Sequence, residues 1–423
     1  MIRLSRPAAW VALGAFGLFA SAFTLAPPAV FHGLVRLFGV EPYRFLFVDT
    51  DTVLSALRCR RAGIDVFATN PCDDLGRVFD YSPLWLVGAV FPVTSAWITP
   101  VGLAVDLGFL AALFLLPVRD HGRDWIWMAA ASVSFATVFA LERGNNDCVI
   151  FLLVALACSF LARNPPRRLL AYGLVSLAGL LKYYPMIVLG LLVSERRSEL
   201  VRVLMLVAGL SIGFLVLFGA ELSRALTLVP IGSFFGDMFG ASTLSGGLAS
   251  LTGQTRPVAV GGELLLLIAA MTAALRLQAG AKFRSDISGT DPARRIFMTA
   301  GALLTLGCFL TAQNIGYRAI NLLLVLPGVL ELQSSKWNEG YFKRLSGVIV
   351  LLLWSGGWRM WAGLVSPGLF LWAWLLREAM WWYVAIFLFA VVFLHLSEAP
   401  EFASLISKAE KAFPILFFQK PVP

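Results

Sequence analysis

Twelve apolar segments punctuate the chain, at 8–26, 99–117, 125–141, 148–162, 168–181, 185–194, 200–219, 258–278, 295–312, 318–333, 345–364 and 372–395. A helix crosses the roughly 30 Å of bilayer hydrocarbon with about 20 apolar residues. Several segments reach that length and others fall short. The segment 185–194 reads as half of a broken helix that turns back at Lys182–Pro185. Little room is left for a soluble domain. The longest polar stretch, Pro28 to Ser82, is about half the size of a typical one. Only 14% of residues are charged, against about 25% in soluble proteins. The expected fold is an all-α polytopic membrane protein of about 12 transmembrane helices, within a range of roughly 10–13. It forms one integral-membrane domain over 1–423, with larger loops at 28–98 and 220–257.

The net charge of +9 does not point to nucleic acid. Membrane proteins collect excess Lys and Arg on the cytoplasmic side, and that bias orients the helices. The N-terminus resembles a signal peptide, but its apolar run from Ala8 to Ala26 exceeds the ~7–15 residues of a signal core. It reads as an uncleaved first span. Arg3 and Arg6 then place the N-terminus inside. With twelve crossings, the basic clusters at 118–124, 163–168, 195–199, 279–294 and 334–344 all fall inside. So does the C-terminal tail with Lys408, Lys411 and Lys420. Counting Pro83–Ile98 as a further span would reverse this order. It reads instead as an interfacial, Trp-bearing helix. The expected location is a plasma membrane, with both termini cytoplasmic.

This threading gathers polar residues on the outer face. They are the first loop, the turn Glu142–Asp147, the turn Lys182–Pro185, the loop 220–257 and the stretch Thr311–Ile320. Ionisable groups at membrane depth are costly and need a partner or a task. Asp49 and Asp51 open an expected helix over about Asp51 to Arg61. Each reads either as an N-cap or as a general base at headgroup height. Lys182 reads as a snorkelling lysine or as a phosphate ligand. Arg318, beside Tyr317, reads as an interface anchor or as a phosphate fork. The turn core Gly144-Asn145-Asn146 suits a plain hairpin turn. Convergence on one face of Asp49, Asp51, Arg143, Asp147, Lys182 and Arg318 favours a site. Cys148, Cys158 and Cys308 read as small core residues.

In order along the chain, these features resemble the GT-C superfamily of membrane glycosyltransferases that use polyprenol-phosphate sugars. Within it they are most similar to bacterial and mycobacterial mannosyltransferase-like proteins. The likeness rests on Asp49 in Phe-Val-Asp-Thr-Asp, and on Gly63, Asp65, Val66, Asn70 and Pro71 in the loop. It continues through Tyr81 and Pro83, the turn Asn145–Asp147, and Gly179–Pro185. It covers roughly residues 8–220. The turn reads Arg143-Gly144-Asn145-Asn146 where the family pattern has Gly-Gln-x-Asn, a departure that bears on which sugar and acceptor are used.

The resemblance implies a bundle of about a dozen helices, with interfacial amphipathic helices in the first outer loop. It implies inverting transfer of a mannose-like hexose from a polyprenyl phosphate to a hydroxyl of a lipid or glycan, outside the cytoplasm, in building the cell envelope. The early-loop aspartate would be the base, with Asp49 the best match and Asp51 the second. Lys182, Arg318 and Arg143 would take the donor phosphate. Tyr81, Asn145, Asn146, Asp147, Tyr183, Tyr184, Asn314 and Tyr317 would line the substrates, with Trp85 stacking beside them. No cofactor is expected, although Asp49, Asp51 and Asp147 are of the type that holds a divalent metal. Cys59 and Cys72 are expected to pair if their loop is periplasmic. The rival readings are a secondary transporter, with its site at the midplane of two related halves, and a flippase of lipid-linked sugars.

Overall fold

The computed structural model describes residues 6–119, 124–229, 232–311, 313–334 and 338–399. Arg3, the loop residues His121 to Arg123, Lys336 and the tail lysines Lys408, Lys411 and Lys420 lie outside them. The chain is helical almost throughout. It begins with α1 (Arg6–Leu25), α2 (Pro28–Leu37) and α3 (Val48–Arg61). Then come α4 (Ile98–Leu113), α5 (Asp124–Ser132), α6 (Phe135–Arg143), α7 (Asn146–Leu161), α8 (Arg168–Lys182) and α9 (Arg197–Thr227). The second half holds α10 (Ala241–Leu251), α11 (Arg256–Ala279), α12 (Ala281–Gly289), α13 (Pro292–Thr311) and α14 (Leu322–Leu332). It ends with α15 (Glu339–Leu353), α16 (Ser355–Val365) and α17 (Pro367–Glu398).

Among the described residues, 6 helices are long and apolar enough to cross a membrane, or up to 8 if two bent pairs each count as one span. The bent pairs are α5–α6, with a 40° break, and α15–α16, with 66°. The other expected segments appear as shorter helices: α7, α8, α14 and a 3-10 helix over Tyr184–Ser194. Both α7 and α8 are shortened by the polar turns that adjoin them, which carry Asn145 and Lys182. Burial separates centre from rim. About 72% of the apolar window of α13 and 67% of that of α17 is buried, against 11% for α9 and α11. The hydrophobic core therefore gathers around α13 and α17, with α7 and α14 packed on α13 and α8 packed in turn on α7. The rim helices offer their apolar faces to lipid.

The first loop is more compact than a set of surface helices. Val53, Leu54, Leu57, Val66, Phe67, Phe79 and Leu86 form a second small core, completed by Ala225 of α9. Cys59 and Cys72 are joined by a disulfide that ties α3 to the Asn70–Asp73 stretch. The stretch expected as one interfacial helix is two 3-10 helices, Pro83–Val90 and Ser95–Trp97, with the second running into α4. Likewise α3 starts at Val48 and not at Asp51, so both aspartates sit inside its first turn and neither is its N-cap. The expected loop 220–257 is largely helical, taken up by the end of α9 and by α10. Between them β1 (Met238–Phe239) pairs antiparallel with β2 (Asn314–Ile315).

Candidate active site

Three chain reversals meet at one end of the bundle: the entry to α3, the α6–α7 turn and the end of α8. Phe47 enters α3 in the left-handed region with φ 63°. Its N–H donates to the Glu142 carbonyl at 2.9 Å, and Thr50 Oγ1 donates to the Gly144 carbonyl at 2.8 Å. Gly144 has φ 54°, and a Cβ there would run into Thr50 Oγ1 and the Phe47 ring. Glycine is what allows α3 to lie on this turn. Tyr183, with φ 59°, turns the chain directly after Lys182. Phe47 and Tyr183 are the two non-glycine residues with positive φ among the described residues. Each costs roughly 1–3 kcal/mol, and such strain collects at working sites.

These turns deliver a continuous polar chain. Asn145 caps α7, its Oδ1 accepting the Asp147 N–H at 2.8 Å. The same oxygen accepts from Lys182 Nζ at 3.3 Å, and the Asn145 amide donates to Asp49 Oδ2 at 2.5 Å. Asp147 is fully buried. Its Oδ2 accepts from Lys182 Nζ at 2.8 Å and Arg318 Nε at 3.2 Å, and its Oδ1 from the Tyr184 hydroxyl at 2.7 Å. Arg318 also donates to Asn314 Oδ1. Two cations thus share one carboxylate, and one positive charge is left over. Lys182 is 5% exposed at its side chain and Arg318 is 23% exposed, so Arg318 is the more accessible of the two cations.

Asp49 stands at the other end of this chain with its side chain 14% exposed. Burial pushes its carboxyl up from the ordinary aspartate range, against the Asn145 hydrogen bond and the charges of Arg143, Lys182 and Arg77. Tyr81 and Tyr317 flank the ammonium of Lys182, with ring centroids 5.4 and 6.0 Å from Nζ.

The other expected residues sit elsewhere or act differently. Asp51 lies two residues along α3, roughly 200° around the helix from Asp49. It is buried, with Arg58 at 3.5 Å, and stands outside the polar chain. Burial and the charge of Asp73 push its carboxyl up. Arg143 is held by Glu142 at 2.9 Å and stacks 3.9 Å from the centroid of Tyr43. It is a wall of the site with a partner of its own. Asn145 and Asp147 spend their polar atoms on the protein, so neither is an open sugar ligand. Asn146 is buried with its amide nitrogen unpartnered. Trp85 donates to the Leu181 carbonyl at 3.2 Å, and Ser82 to that of Leu180 at 2.6 Å. Both satisfy carbonyls left open where α8 ends. Asp49, Asp51 and Asp147 do not gather. No group of three His, Cys, Asp or Glu among the described residues is placed to hold a metal.

Two contributors escape a reading of the sequence. Arg77 lies 3.6 Å from Asp49, 2.8 Å from Asp73, and donates to the Val48 carbonyl at 2.8 Å. Its signal was only a lone arginine near Asp73. Asp237 accepts the Gly316 N–H on its carbonyl at 2.8 Å, and so fastens the stretch carrying Arg318.

The family model of glycosyltransferase family 87 matches residues 79–310, more than half of the chain. The chain belongs to glycosyltransferase family 87. As a member of family 87 it is a membrane glycosyltransferase of GT-C type, and it uses a sugar donor and an acceptor. The match takes in Tyr81, the α6–α7 turn and Lys182 to Tyr184; Asp49, Arg77 and Arg318 lie outside it. Among curated proteins, none matches this family 87 chain.

Proposed function

We propose that the chain transfers a mannose-like hexose, with inversion, from a polyprenyl-phosphate sugar to a hydroxyl of a lipid or glycan acceptor. The observation that carries this reading is the unbroken chain Asp49–Asn145–Lys182–Asp147–Arg318. It sets a carboxylate and an excess cation at two ends of one polar track. Asp49 takes the acceptor hydroxyl's proton as that oxygen attacks the anomeric carbon. The bond from the anomeric carbon to the phosphate oxygen breaks on the opposite face, and the phosphate leaves with the electron pair. The charge gained there faces Arg318, backed by Lys182, in a site that excludes much of the water. Arg143 lends a weaker field, and Tyr81, Tyr317 and Tyr184 flank the sugar. No cofactor enters the scheme, because the two cations supply the charge. The reaction is placed on the extracytoplasmic face of a bacterial plasma membrane, with both termini in the cytoplasm.

The test is transfer from a polyprenyl-phosphate mannose by purified Asp49→Asn and Asp51→Asn proteins. A general base contributes about 10²–10⁴-fold. Asp49→Asn should lose roughly that factor, while Asp51→Asn keeps most of its rate. Wild-type turnover by a well-expressed Asp49→Asn protein would overturn the reading.

A further inference from the structure

A cavity lies beside the candidate active site and is chemically unlike it. Its volume is about 180 Å³, and it opens between α1, α2, α4 and α6. Phe16, Phe19, Phe31 and Leu103 give it an apolar wall. Asp106 also lines it, in the middle of α4, and is 1% exposed. Its Oδ1 has no hydrogen-bond partner. An ionisable side chain at membrane depth without a protein partner is too costly to be idle. No Lys or Arg lines this wall; Arg143, next in sequence to the lining residue Glu142, is paired with Glu142 and stacked on Tyr43.

The cavity touches the reaction space. Phe47, two residues before Asp49, lines it. The Phe47 ring presses on Gly102 so closely that a Cβ there would overlap it. Asp106 sits one helical turn along α4 from Gly102, about 6 Å away.

We propose that this cavity is a lipid site, and that its occupant is an uncharged lipid whose hydroxyl donates to Asp106 while its chain fills the phenylalanine-lined wall. A carboxyl accepts from a hydroxyl in either protonation state. The wall offers no Lys or Arg to hold a phosphate headgroup. A polyprenyl phosphate has its alcohol esterified and brings a phosphate that this wall does not match. A lipid of the diacylglycerol kind meets both demands. The site does not require the lipid to be a reactant.

The test is native mass spectrometry of the full chain in detergent, titrated with dioleoylglycerol or with its O-methyl ether. Wild-type protein should bind the free hydroxyl roughly 3–10-fold more tightly than the ether, the worth of one hydrogen bond. Asp106→Leu should erase that preference, and Asp106→Asn should keep most of it. Ala15→Trp, which fills the cavity from α1, should remove the tightest binding event for both lipids. Equal binding of the two lipids to wild type would overturn the proposal. So would a hydroxyl preference that survives Asp106→Leu, or tight binding that survives Ala15→Trp. Asp49→Asn should bind both lipids as wild type does, so a failure of the transfer reading leaves this test intact.

Discussion

As the proposed base, Asp49 would work only as a carboxylate, and its surroundings raise the pH at which it becomes one. Burial disfavours the charged form, and the Asn145 hydrogen bond with the nearby cations does not fully offset this. A group with a raised pKa loses its charge as pH falls through that raised value. Transfer should therefore fall away on the acid side at a pH above about 3.9, the ordinary aspartate value. A pH–rate profile of kcat/KM reads this directly. An acid limb at or below the ordinary value would show that Asp49 is not the group that titrates. Asp147 has the opposite task. It is fully buried and holds two cations, so Asp147→Asn strips Lys182 and Arg318 of their shared counter-charge. Breaking a buried pair from one side costs about 3–5 kcal/mol. Lys182→Met leaves Asp147 with Arg318 and Tyr184 and should cost visibly less. Thermal unfolding of the two variants in detergent should rank them in that order.

At the scale of elements, the site depends on how closely α3 approaches the α6–α7 turn. Gly144→Ala meets two obstacles. Its φ of 54° disfavours any Cβ, and the new atom would press on Thr50 and Phe47. The strain is on the order of 1–3 kcal/mol, and relief requires α3 to withdraw from Asn145. The variant should lose stability and, further, lose kcat, because the Asp49–Asn145 bond spans that junction. A normal kcat with lowered stability would show that the contact is structural alone. This junction also marks what the sequence could tell. Apolar period and charge bias sufficed for the helices and for the grouping of Asp49, Lys182 and Arg318 at one end. They did not reveal that Asn145 is the link, because a Gly-Asn-Asn turn looks the same whether it is solvated or buried. Nor did they separate Asp49 from Asp51, which share the first turn of α3 and differ only in the helix face they occupy. Arg77 was invisible because its partners, Asp73 and the Val48 carbonyl, come together only when the disulfide-tied loop folds.

Across the whole molecule, the ion pairs divide by end. Arg119 and Arg294 share Glu331 at 2.7 and 3.1 Å, and Arg168 pairs with Glu195. All of these lie at the opposite end from Asp49, where the helices leading to the active site begin. At the active-site end, the C-terminal half contributes a brace that the apolar pattern of α16 and α17 conceals. Arg359 donates to the Phe235 and Gly236 carbonyls at 2.7 and 3.0 Å. Arg377 donates to the Gly236 carbonyl at 3.2 Å and pairs with Glu378 at 2.6 Å. Both guanidinium groups lie just under 4 Å from Asp237, at 3.7 and 3.9 Å. The brace therefore holds the 232–240 stretch, and through the β1–β2 pair and Gly316 it holds Arg318. Arg377→Met removes part of that hold and also strands Glu378, which is fully buried, at a cost of about 3–5 kcal/mol. The double variant Arg377→Met with Glu378→Met lifts the second penalty and keeps the first. The single variant should be markedly unstable, and the double should recover most of the loss. Both should still bind donor more weakly than wild type, seen as a raised donor KM, because Arg318 is less well fixed. Asp49 is untouched, so kcat at saturating donor should change less than KM. A double variant with wild-type stability and a wild-type donor KM would show that the brace has no hold on Arg318.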